Sequence, residues 1–318
     1  MSCNREQPPL QPRELAAAGA RAGSSGSGHE CVRLARVRSS GPKVAVVGHV
    51  EWVQFARVPH VPRAGEVVHA SDPFEEPAGG GAVAAVQLAR LAGGASLVTV
   101  LGDDEYGRRS ATRLAELGVD VRASVVQAPS RRAVTLVDEA GERTITTFGP
   151  RLEPQGGEAP ERWSAVEAID ALYFTAGDEA ELRIARARSR VLVASPRARS
   201  ALGHGVSLDA LVLSGDDEIE LRAAAPALAE AELVVWTEGA RGGRYGLRSG
   251  ETGRWEAVAP PGARADSYGC GDSFAAGLTY GLGAGLELAQ ALALAARCGA
   301  VCLTGHGPYE RQLRGSEL

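Results

Sequence analysis

The residues best suited to chemistry lie in one short stretch, Ala265–Gly277, which reads ADSYGCGDSFAAG. Two glycines flank Cys270, and Asp272 follows at once, where an apolar run typical of a helix begins. Small residues in a turn that opens a helix leave backbone N–H groups free to bind an anion, and the helix dipole adds to that attraction. An aspartate within such a site fits a base that activates the acceptor of a phosphoryl group. An ordinary helix N-cap explains Asp272 equally well from this stretch alone.

The chain has a single lysine, Lys43, at the start of the first predicted strand. This excludes a Walker A loop, a Schiff-base lysine and a kinase-type strand lysine. Phosphate chemistry would therefore depend on backbone N–H groups, arginines and a metal ion. The five cysteines include no CxxC pair, so we expect neither a zinc site nor a disulfide framework.

Composition and charge limit the classes of partner that the 318-residue chain could bind. The hydrophobic fraction of 44% and the charged fraction of 23% are ordinary for a globular protein. A net charge of −5 argues against nucleic acid or an anionic membrane as a partner. Reduced cysteines, together with an N-terminus that has no charged-then-apolar leader, predict a cytoplasmic location.

The pattern of apolar residues predicts the elements that must position Asp272. Residues 1–41 are rich in Gly, Ser, Ala, Arg and Pro, which predicts a disordered extension before a domain at 42–318. Strand and helix patterns then alternate, which predicts a mostly parallel sheet with helices on both faces. The predicted strands are 44–48, 97–101, 171–175, 191–194, 210–213 and 233–237, and the predicted helices include 79–91, 105–117 and 288–303. The arginines at 183–199 predict a solvated helix face.

Two stretches depart from this alternation. Residues 66–70 predict a short exposed strand, and residues 132–137 and 143–147 predict a hairpin. We interpret them as a small β lid, with strands drawn from about 63–77 and 130–150. The run Gly79–Ala84 fits a dinucleotide fingerprint, which we reject because the residues just before it do not predict a strand.

Several motifs, in order along the chain, resemble those of the ribokinase-like (PfkB) carbohydrate kinases. Asp266–Phe274 is similar to the family signature D-T-x-G-A-G-D-x-F, with Tyr268 where Thr is common. The other motifs are Gly102–Gly107 (GDDxxG), Gly141–Thr144 (GERT), Glu218–Leu221 (the end of NxxE-A-E-L), Thr237–Gly242 (TxGxxG) and Gly305–Gly307. The resemblance covers residue 43 to the C-terminus. It implies an α/β fold, a ribokinase-like three-layer α/β/α sandwich with a small β lid.

The resemblance also implies the reaction, the ATP-dependent phosphorylation of a hydroxymethyl group on a sugar-like molecule. Asp272 would be the general base, and the backbone N–H groups of Gly269, Cys270, Gly271 and Asp272 would form the anion hole. The nucleotide would lie along Thr237, Gly239, Gly242 and Gly305. Glu218 would act on Mg²⁺ through water, and Asp266 would belong to a monovalent-cation site for K⁺.

The sequence departs from the family pattern on the substrate side. The glycine-rich motif keeps Gly80 and Gly81, but its substrate-binding Asn position is Val83. The aspartate expected after the first strand is replaced by Val53, and Glu51 lies two residues earlier with the same predicted orientation. Glu51 as a replacement sugar ligand and Glu51 as a solvated or ion-paired carboxylate both remain open. Gly215 stands at the Asn position of NxxE.

Three functions remain open at this stage. A sugar kinase follows most directly from the motifs. A nucleoside kinase of the same fold is favoured by the loss of polar contacts at Val53 and Val83, with Trp52 or His49 as a stacking surface. A catalytically silent regulator that binds a nucleotide or metabolite is favoured by the same losses and opposed by the intact motif around Asp272. Homodimers formed through the lid are common in the family, and the sequence does not decide whether this chain forms one.

Overall fold

Strands and helices alternate along the residues that the computed structural model describes, 41–157, 160–164, 166 and 168–318. Apart from Gly41, the predicted disordered extension lies outside these residues. The strands are β1 (Val44–Val47), β2 (Glu51–Arg57), β3 (Ser71–Ala78), β4 (Ala95–Gly102), β5 (Val119–Val126), β6 (Arg132–Val137), β7 (Arg143–Phe148), β8 (Ile169–Phe174), β9 (Ser189–Ala194), β10 (Leu208–Ser214), β11 (Ala231–Thr237), β12 (Gly243–Leu247) and β13 (Thr252–Trp255). The helices are α1 (Gly80–Ala92), α2 (Glu105–Glu116), α3 (Glu179–Arg188), α4 (Glu218–Ala224), α5 (Cys270–Gly283) and α6 (Leu288–Cys302).

The large sheet has nine strands in the order β13-β12-β11-β10-β9-β8-β1-β4-β5. The seven strands from β11 to β5 are parallel, and β12 and β13 add antiparallel strands at one edge. The mostly parallel sheet is therefore confirmed. All four residues of β1 are buried, which is the pattern of a strand covered on both faces.

Helices cover both faces of this sheet. Neighbouring residues of β1 belong to different cores, because successive side chains of a strand point to opposite faces. Val46 packs in the core of α1, α5 and α6, whereas Ala45 packs in the core that contains α3. The result is the expected three-layer α/β/α sandwich. No helix in the described part of the chain has the length and apolarity needed to cross a bilayer.

A second sheet, here called the lid sheet, has the order β3-β2-β6-β7. The hairpin of β6 and β7 is confirmed. The strand predicted at residues 66–70 is wrong, because those residues form a loop and the strand is β3, at 71–78. The two prolines of β3 are tolerated because β3 is an edge strand, and Phe74 stacks on Phe55 of β2 with ring centroids 4.8 Å apart.

A strand therefore does precede Gly79, contrary to our reason for rejecting a dinucleotide site. This strand, β3, runs antiparallel to β2 in the lid sheet and has no place in the parallel sheet. A dinucleotide fingerprint requires a parallel βαβ unit, so β3 does not restore that interpretation.

The start of α1 lies against the end of β1 at a contact between glycines. A Cβ atom on Gly81 would lie 2.7 Å from the carbonyl carbon of Gly48 and 2.7 Å from the carbonyl oxygen of His49. A Cβ on Gly48 would lie 2.5 Å from the Cα of Gly81. These two glycines therefore allow the turn before α1 to reach the carboxyl end of the parallel strands.

We expect Gly81→Ala to destabilise the protein, because its added methyl group would overlap backbone atoms that cannot move away freely. The expected loss is about 1–3 kcal/mol in the free energy of unfolding, as for overpacked cores. Gly94→Ala is the matched control, because a Cβ at Gly94 would meet nothing within 4 Å. Urea unfolding of both variants is the measurement, and equal midpoints for the two would contradict the close contact.

Candidate active site

The N-terminus of α5 opens toward solvent beside Asp272. Gly269 has φ +79°, the left-handed conformation that favours glycine, and it directs the chain into the helix. The first N–H groups of a helix have no intrahelical partner. A Cβ on Gly271 would meet nothing within 4 Å, whereas Asp272 is only 8% exposed. The helix thus presents open backbone donors next to a largely buried carboxylate.

Asp272 is held by an arginine that the sequence analysis did not assign to the site. Arg197 Nη1 donates to Asp272 Oδ1 at 2.7 Å, and Arg197 Nε lies 3.1 Å from Glu220 Oε1. The other oxygen of Glu220 accepts from the backbone N–H of Ser214 at 2.8 Å. The negative charge of Asp272 raises the pKa of Arg197. Arg197 therefore stays charged beside the candidate base.

The predicted arginine face on a helix is correct for Arg183, Arg186 and Arg188, which lie on α3, whereas Arg190 lies on β9 and Arg197 and Arg199 follow that strand. Arg183 pairs with Glu179 and Arg186 with Asp209 near the surface. Arg197 differs because it lies just after the carboxyl end of β9, the sheet edge where ligands bind in parallel α/β folds. That position in the strand pattern was the signal that could have identified it.

The glycine turn before α1 borders the same space. A Cβ on Gly80 would lie 3.0 Å from Asp272 Oδ1 and 3.2 Å from Arg197 Nη1. Gly79 has φ +88°, and its Cβ would lie 2.9 Å from His49 Nε2 and 3.3 Å from the Cγ of Glu51. The structure therefore brings the predicted Gly80 and Glu51 together with Asp272, and Gly81 of α1 packs against Gly48 and His49, just after β1.

Two buried ionisable groups beside this turn have shifted pKa values. Burial lowers the pKa of His49 well below its usual range, and Arg151, Arg197 and Arg131 lower it further. Burial raises the pKa of Glu51, while Arg131 and Arg151 oppose that shift. Glu51 is an ion-paired carboxylate, because its Oε2 lies 3.3 Å from Arg131 Nε.

The other substrate-side residues singled out in the sequence pack into the protein. Val83 and Val53 are fully buried, and a Cβ on Gly269 would lie 2.9 Å from the Cγ1 of Val83. The indole N–H of Trp52 donates to Glu75 at 3.1 Å, and the Arg109 guanidinium lies 4.2 Å from the Trp52 ring centroid. Trp52 therefore joins the lid sheet to α2.

Three residues expected along the nucleotide lie at the carboxyl end of β11 and in the turn that follows it, whereas the fourth, Gly305, follows α6. Thr237 ends β11, and Gly239 and Gly242 follow with φ values of +56° and +78°. A Cβ on Gly242 would lie 2.1 Å from the carbonyl oxygen of Trp255, so this turn requires glycine. Gly305 is equally confined, because its Cβ would lie 2.7 Å from the backbone nitrogen of Arg311.

The two carboxylates expected at cations differ in their surroundings. The side chain of Glu218 is 78% exposed and pairs with Arg222 at 2.9 Å, whereas Glu220 of the same helix points toward Arg197. Asp266 is buried, with its two oxygens accepting from the N–H groups of Tyr268 at 2.7 Å and Gly307 at 2.9 Å. Among the described residues, no three or more His, Cys, Asp or Glu side chains form a metal-binding group.

The lid sheet contacts the segment that leads into α5. The carbonyl oxygen of Gly141 accepts from the N–H of Ser267 at 3.2 Å, and Arg143 Nη1 donates to Ser267 Oγ at 3.1 Å. The next residue, Tyr268, accepts with its hydroxyl oxygen from the N–H of Gly79 at 3.3 Å. The turn between β6 and β7 and the turn before α1 are thus both linked to the motif that carries Asp272.

Comparison with known proteins agrees with these features. The model of the pfkB family carbohydrate kinases matches residues 42–193 and 207–313. A fructokinase of Klebsiella pneumoniae is 30% identical over 290 residues, covering 76% of this chain and 91% of the relative. A fructokinase of Salmonella typhimurium is 30% identical over 288 residues, covering 74% and 90%.

Solved structures share the fold at lower sequence identity. The ribokinase of Giardia lamblia matches with a TM-score of 0.71 at 18% identity, covering 87% of this chain and 97% of that chain. The ribokinase of Thermotoga maritima matches with a TM-score of 0.69 at 20% identity, with the same coverage. Phosphofructokinase-2 of Escherichia coli in complex with potassium gives a TM-score of 0.67 at 18% identity, covering 87% and 96%.

We expect the free energy of unfolding to decrease as the pH is lowered, because of His49. Its pKa lies near 6.5 in the unfolded chain and well below that value in the folded protein. Below about pH 6.5 the unfolded chain binds a proton that the folded protein does not, so the free energy of unfolding falls by up to about 1.4 kcal/mol per pH unit.

The measurement is urea unfolding between about pH 7.5 and about pH 5.5. His49→Gln should flatten the slope that the native chain shows below pH 6.5. His69→Gln changes an exposed histidine and should leave the slope in place. The same slope in the native chain and the His49 variant would show that His49 is not the group responsible.

Proposed function

The chain belongs to the pfkB family of carbohydrate kinases, and on this basis we propose that it transfers the γ-phosphoryl group of ATP to a hydroxymethyl group of a sugar-like acceptor, with Asp272 as general base. The family makes it a phosphotransferase with an alcohol acceptor. The observation that carries the finer proposal is the largely buried carboxylate of Asp272 beside the open N-terminus of α5. We place the kinase domain at residues 42–318.

Asp272 would accept the proton of the acceptor hydroxyl as the phosphoryl group arrives. Arg197 at 2.7 Å stabilises the ionised carboxylate and restrains its orientation. Phosphoryl transfer goes through a loose transition state, so positioning and charge stabilisation count for more than the strength of the base. An ionised, well-positioned carboxylate is therefore adequate for this role.

The anion hole would consist of the N–H groups of Gly269, Cys270, Gly271 and Asp272. They lie at the positive end of α5, where the charge that develops on the transferred group would be stabilised. Gly271 is the exposed member of this set, and its missing side chain leaves room for that group. The positive charge of Arg197 adds to the stabilisation.

Thr237, Gly239, Gly242 and Gly305 would line the nucleotide. Gly239 is exposed just after β11, and a Cβ there would meet nothing within 4 Å, which leaves its backbone open to a ligand. Gly242 and Gly305 are buried and would shape the turns. Mg²⁺ bound to the ATP phosphates would neutralise charge on the transferred group. The exposed carboxylate of Glu218 fits an outer contact to that ion through water, and Glu220 would remain the partner of Arg197. The buried carboxylate of Asp266 supports a monovalent-cation site in the neighbouring loop.

The geometry favours a sugar-like acceptor over a nucleoside. The aromatic surface invoked for a nucleoside was Trp52 and His49. The indole of Trp52 is occupied by Glu75 and Arg109, and His49 is buried. The intact Asp272 motif opposes a catalytically silent regulator. A panel of sugars and nucleosides assayed for ADP release separates the three functions, since the regulator would bind ATP and release ADP with none of them.

We expect Asp272→Asn to lower kcat by about 10²–10⁴, the usual contribution of a positioned general base. Asn keeps the size of the side chain and loses the ability to take a proton. Asp120→Asn, an exposed change on β5, is the control and should retain full activity. The readouts are ADP release with an accepted sugar and ATP binding by calorimetry. Undiminished turnover by the Asp272 variant would refute its role as base.

We expect Gly271→Ala to lower kcat by about 10²-fold, because its methyl group would occupy the space in front of the anion hole. The free energy of unfolding should stay within about 0.5 kcal/mol, since a Cβ there meets nothing within 4 Å. Gly94→Ala again serves as the control, with both activity and stability retained. A fully active Gly271→Ala variant would show that the transferred phosphoryl group does not occupy the space next to Gly271.

A further inference from the structure

Three arginines from separate segments lie near His49 and Glu51, the buried groups beside the turn that borders Asp272. Arg131 precedes β6, Arg151 follows β7 and Arg197 follows β9. Arg151 Nη2 donates to the backbone carbonyl of Arg197 at 2.8 Å. Arg131 and Arg151 thus lie at the two ends of the hairpin of the lid sheet, where the chain enters it and leaves it.

The first of these arginines is held firmly by its neighbours. The carboxylate of Asp104 accepts from the N–H of Ser130 at 2.7 Å and from its hydroxyl at 2.7 Å. The backbone carbonyl of Arg131 accepts from the N–H of Trp52 at 2.9 Å, and its Nη2 donates to Thr147 Oγ1 at 2.8 Å. Arg131 is therefore part of a rigid framework.

The three arginines lie close enough to two buried groups to shift their pKa values. The charged groups that shift the pKa of His49 are all arginines, and each lowers it. The same three arginines also favour the ionised form of Glu51, against the effects of burial and of the Asp272 charge, which raise its pKa. The same positive charges thus disfavour the protonated imidazole of His49 and favour the ionised carboxylate of Glu51.

The hydrogen-bonding chemistry of the site suits an anion better than a neutral sugar. A guanidinium only donates hydrogen bonds, whereas a sugar hydroxyl both donates and accepts. The two positions where the resemblance implies polar sugar contacts are Val53 and Val83, and both are fully buried in the core. Carboxylate and phosphate groups only accept, so they match what the arginines offer.

The arginines keep donors available although each has a carboxylate partner. Glu51 pairs with Arg131, Glu153 with Arg151, and Asp272 with Arg197. One carboxylate engages at most two of the five N–H groups of a guanidinium. His49, only 7% exposed, also has a ring nitrogen, Nδ1, without a hydrogen-bond partner among the described residues.

We propose that the phosphate acceptor is a sugar derivative with an anionic group, a carboxylate or a phosphate, which Arg131 and Arg151 bind while its hydroxymethyl group faces Asp272. This inference rests on the proposed phosphotransferase function and names its substrate class. Arg197, already engaged with Asp272 and Glu220, remains with the reacting end of the acceptor.

The test compares acceptors in matched pairs with the full chain, ATP and Mg²⁺. One pair is D-gluconate and D-glucitol, and the other is D-fructose 6-phosphate and D-fructose; five-carbon and 2-keto aldonates extend the carboxylate series. We expect kcat/KM for an anionic member to exceed that of its neutral counterpart by about 100-fold, as charged hydrogen bonds contribute. The pair that shows the preference identifies the anionic group. A preference for the neutral members would overturn the proposal.

Arginine variants test which residues are responsible. Arg151→Gln and Arg131→Gln should each raise KM for the anionic acceptor by about 10- to 100-fold, with kcat within about threefold. Their KM for a neutral acceptor should hardly change. Arg122→Gln, on β5 and paired with Asp120, is the matched control. If both arginine variants raise KM equally for anionic and neutral acceptors, the arginines do not recognise an anion.

Binding measurements separate this inference from the proposed reaction. Calorimetry with the Asp272→Asn variant should show binding of an anionic acceptor that weakens as salt is added. Binding of anionic acceptors without ADP release by the native chain would uphold the substrate class and refute the proposed reaction. Phosphorylation of neutral sugars alone would uphold the proposed reaction and refute the substrate class. Failure of every anionic member to bind would overturn the proposal.

Discussion

The ion pair between Arg197 and Asp272 is the interaction on which the arrangement of the site depends. It joins the carboxyl end of β9 to the first turn of α5, and Glu220 connects α4 to the same guanidinium. A buried carboxylate without a partner is costly, so these elements stabilise one another at the sheet edge. Gly80 completes the arrangement, because any side chain there would contact both members of the pair.

The two sheets position different groups of residues at the candidate site. The large sheet and its helices hold Asp272, Arg197 and the glycine turn after β11. These are the parts suited to phosphoryl transfer. The lid sheet brings Glu51, Arg131 and the segment leading to Arg151 to the side that we propose for the acceptor. Contacts from Gly141 and Arg143 to Ser267 connect these two parts. Under the proposed function, substitutions in the lid sheet would change the acceptor while the residues proposed for phosphoryl transfer stay the same.

Much of the fold followed from local patterns. Continuous apolar runs identified β1 and the other central strands because both faces of those strands are buried. The lid sheet was harder, because β3 contains two prolines and several charged residues and is formed by pairing with β2. The sequence also left open whether Glu51 is a replacement sugar ligand or a solvated or ion-paired carboxylate. Its ion pair was not visible, because its partner Arg131 lies 80 positions along the chain.

By itself, the sequence determined the family, the parallel sandwich and the local form of the Asp272 motif. Each depends on residues close together in the chain, such as glycines that permit a left-handed turn at the start of a helix. The tertiary structure alone decided which charges meet at the site. It singled out Arg197 from a run of surface arginines, turned Glu220 inward in place of Glu218, and brought Arg131 and Arg151 together around His49. Such pairings depend on how separate strand ends converge at one edge of a sheet, which no local pattern records.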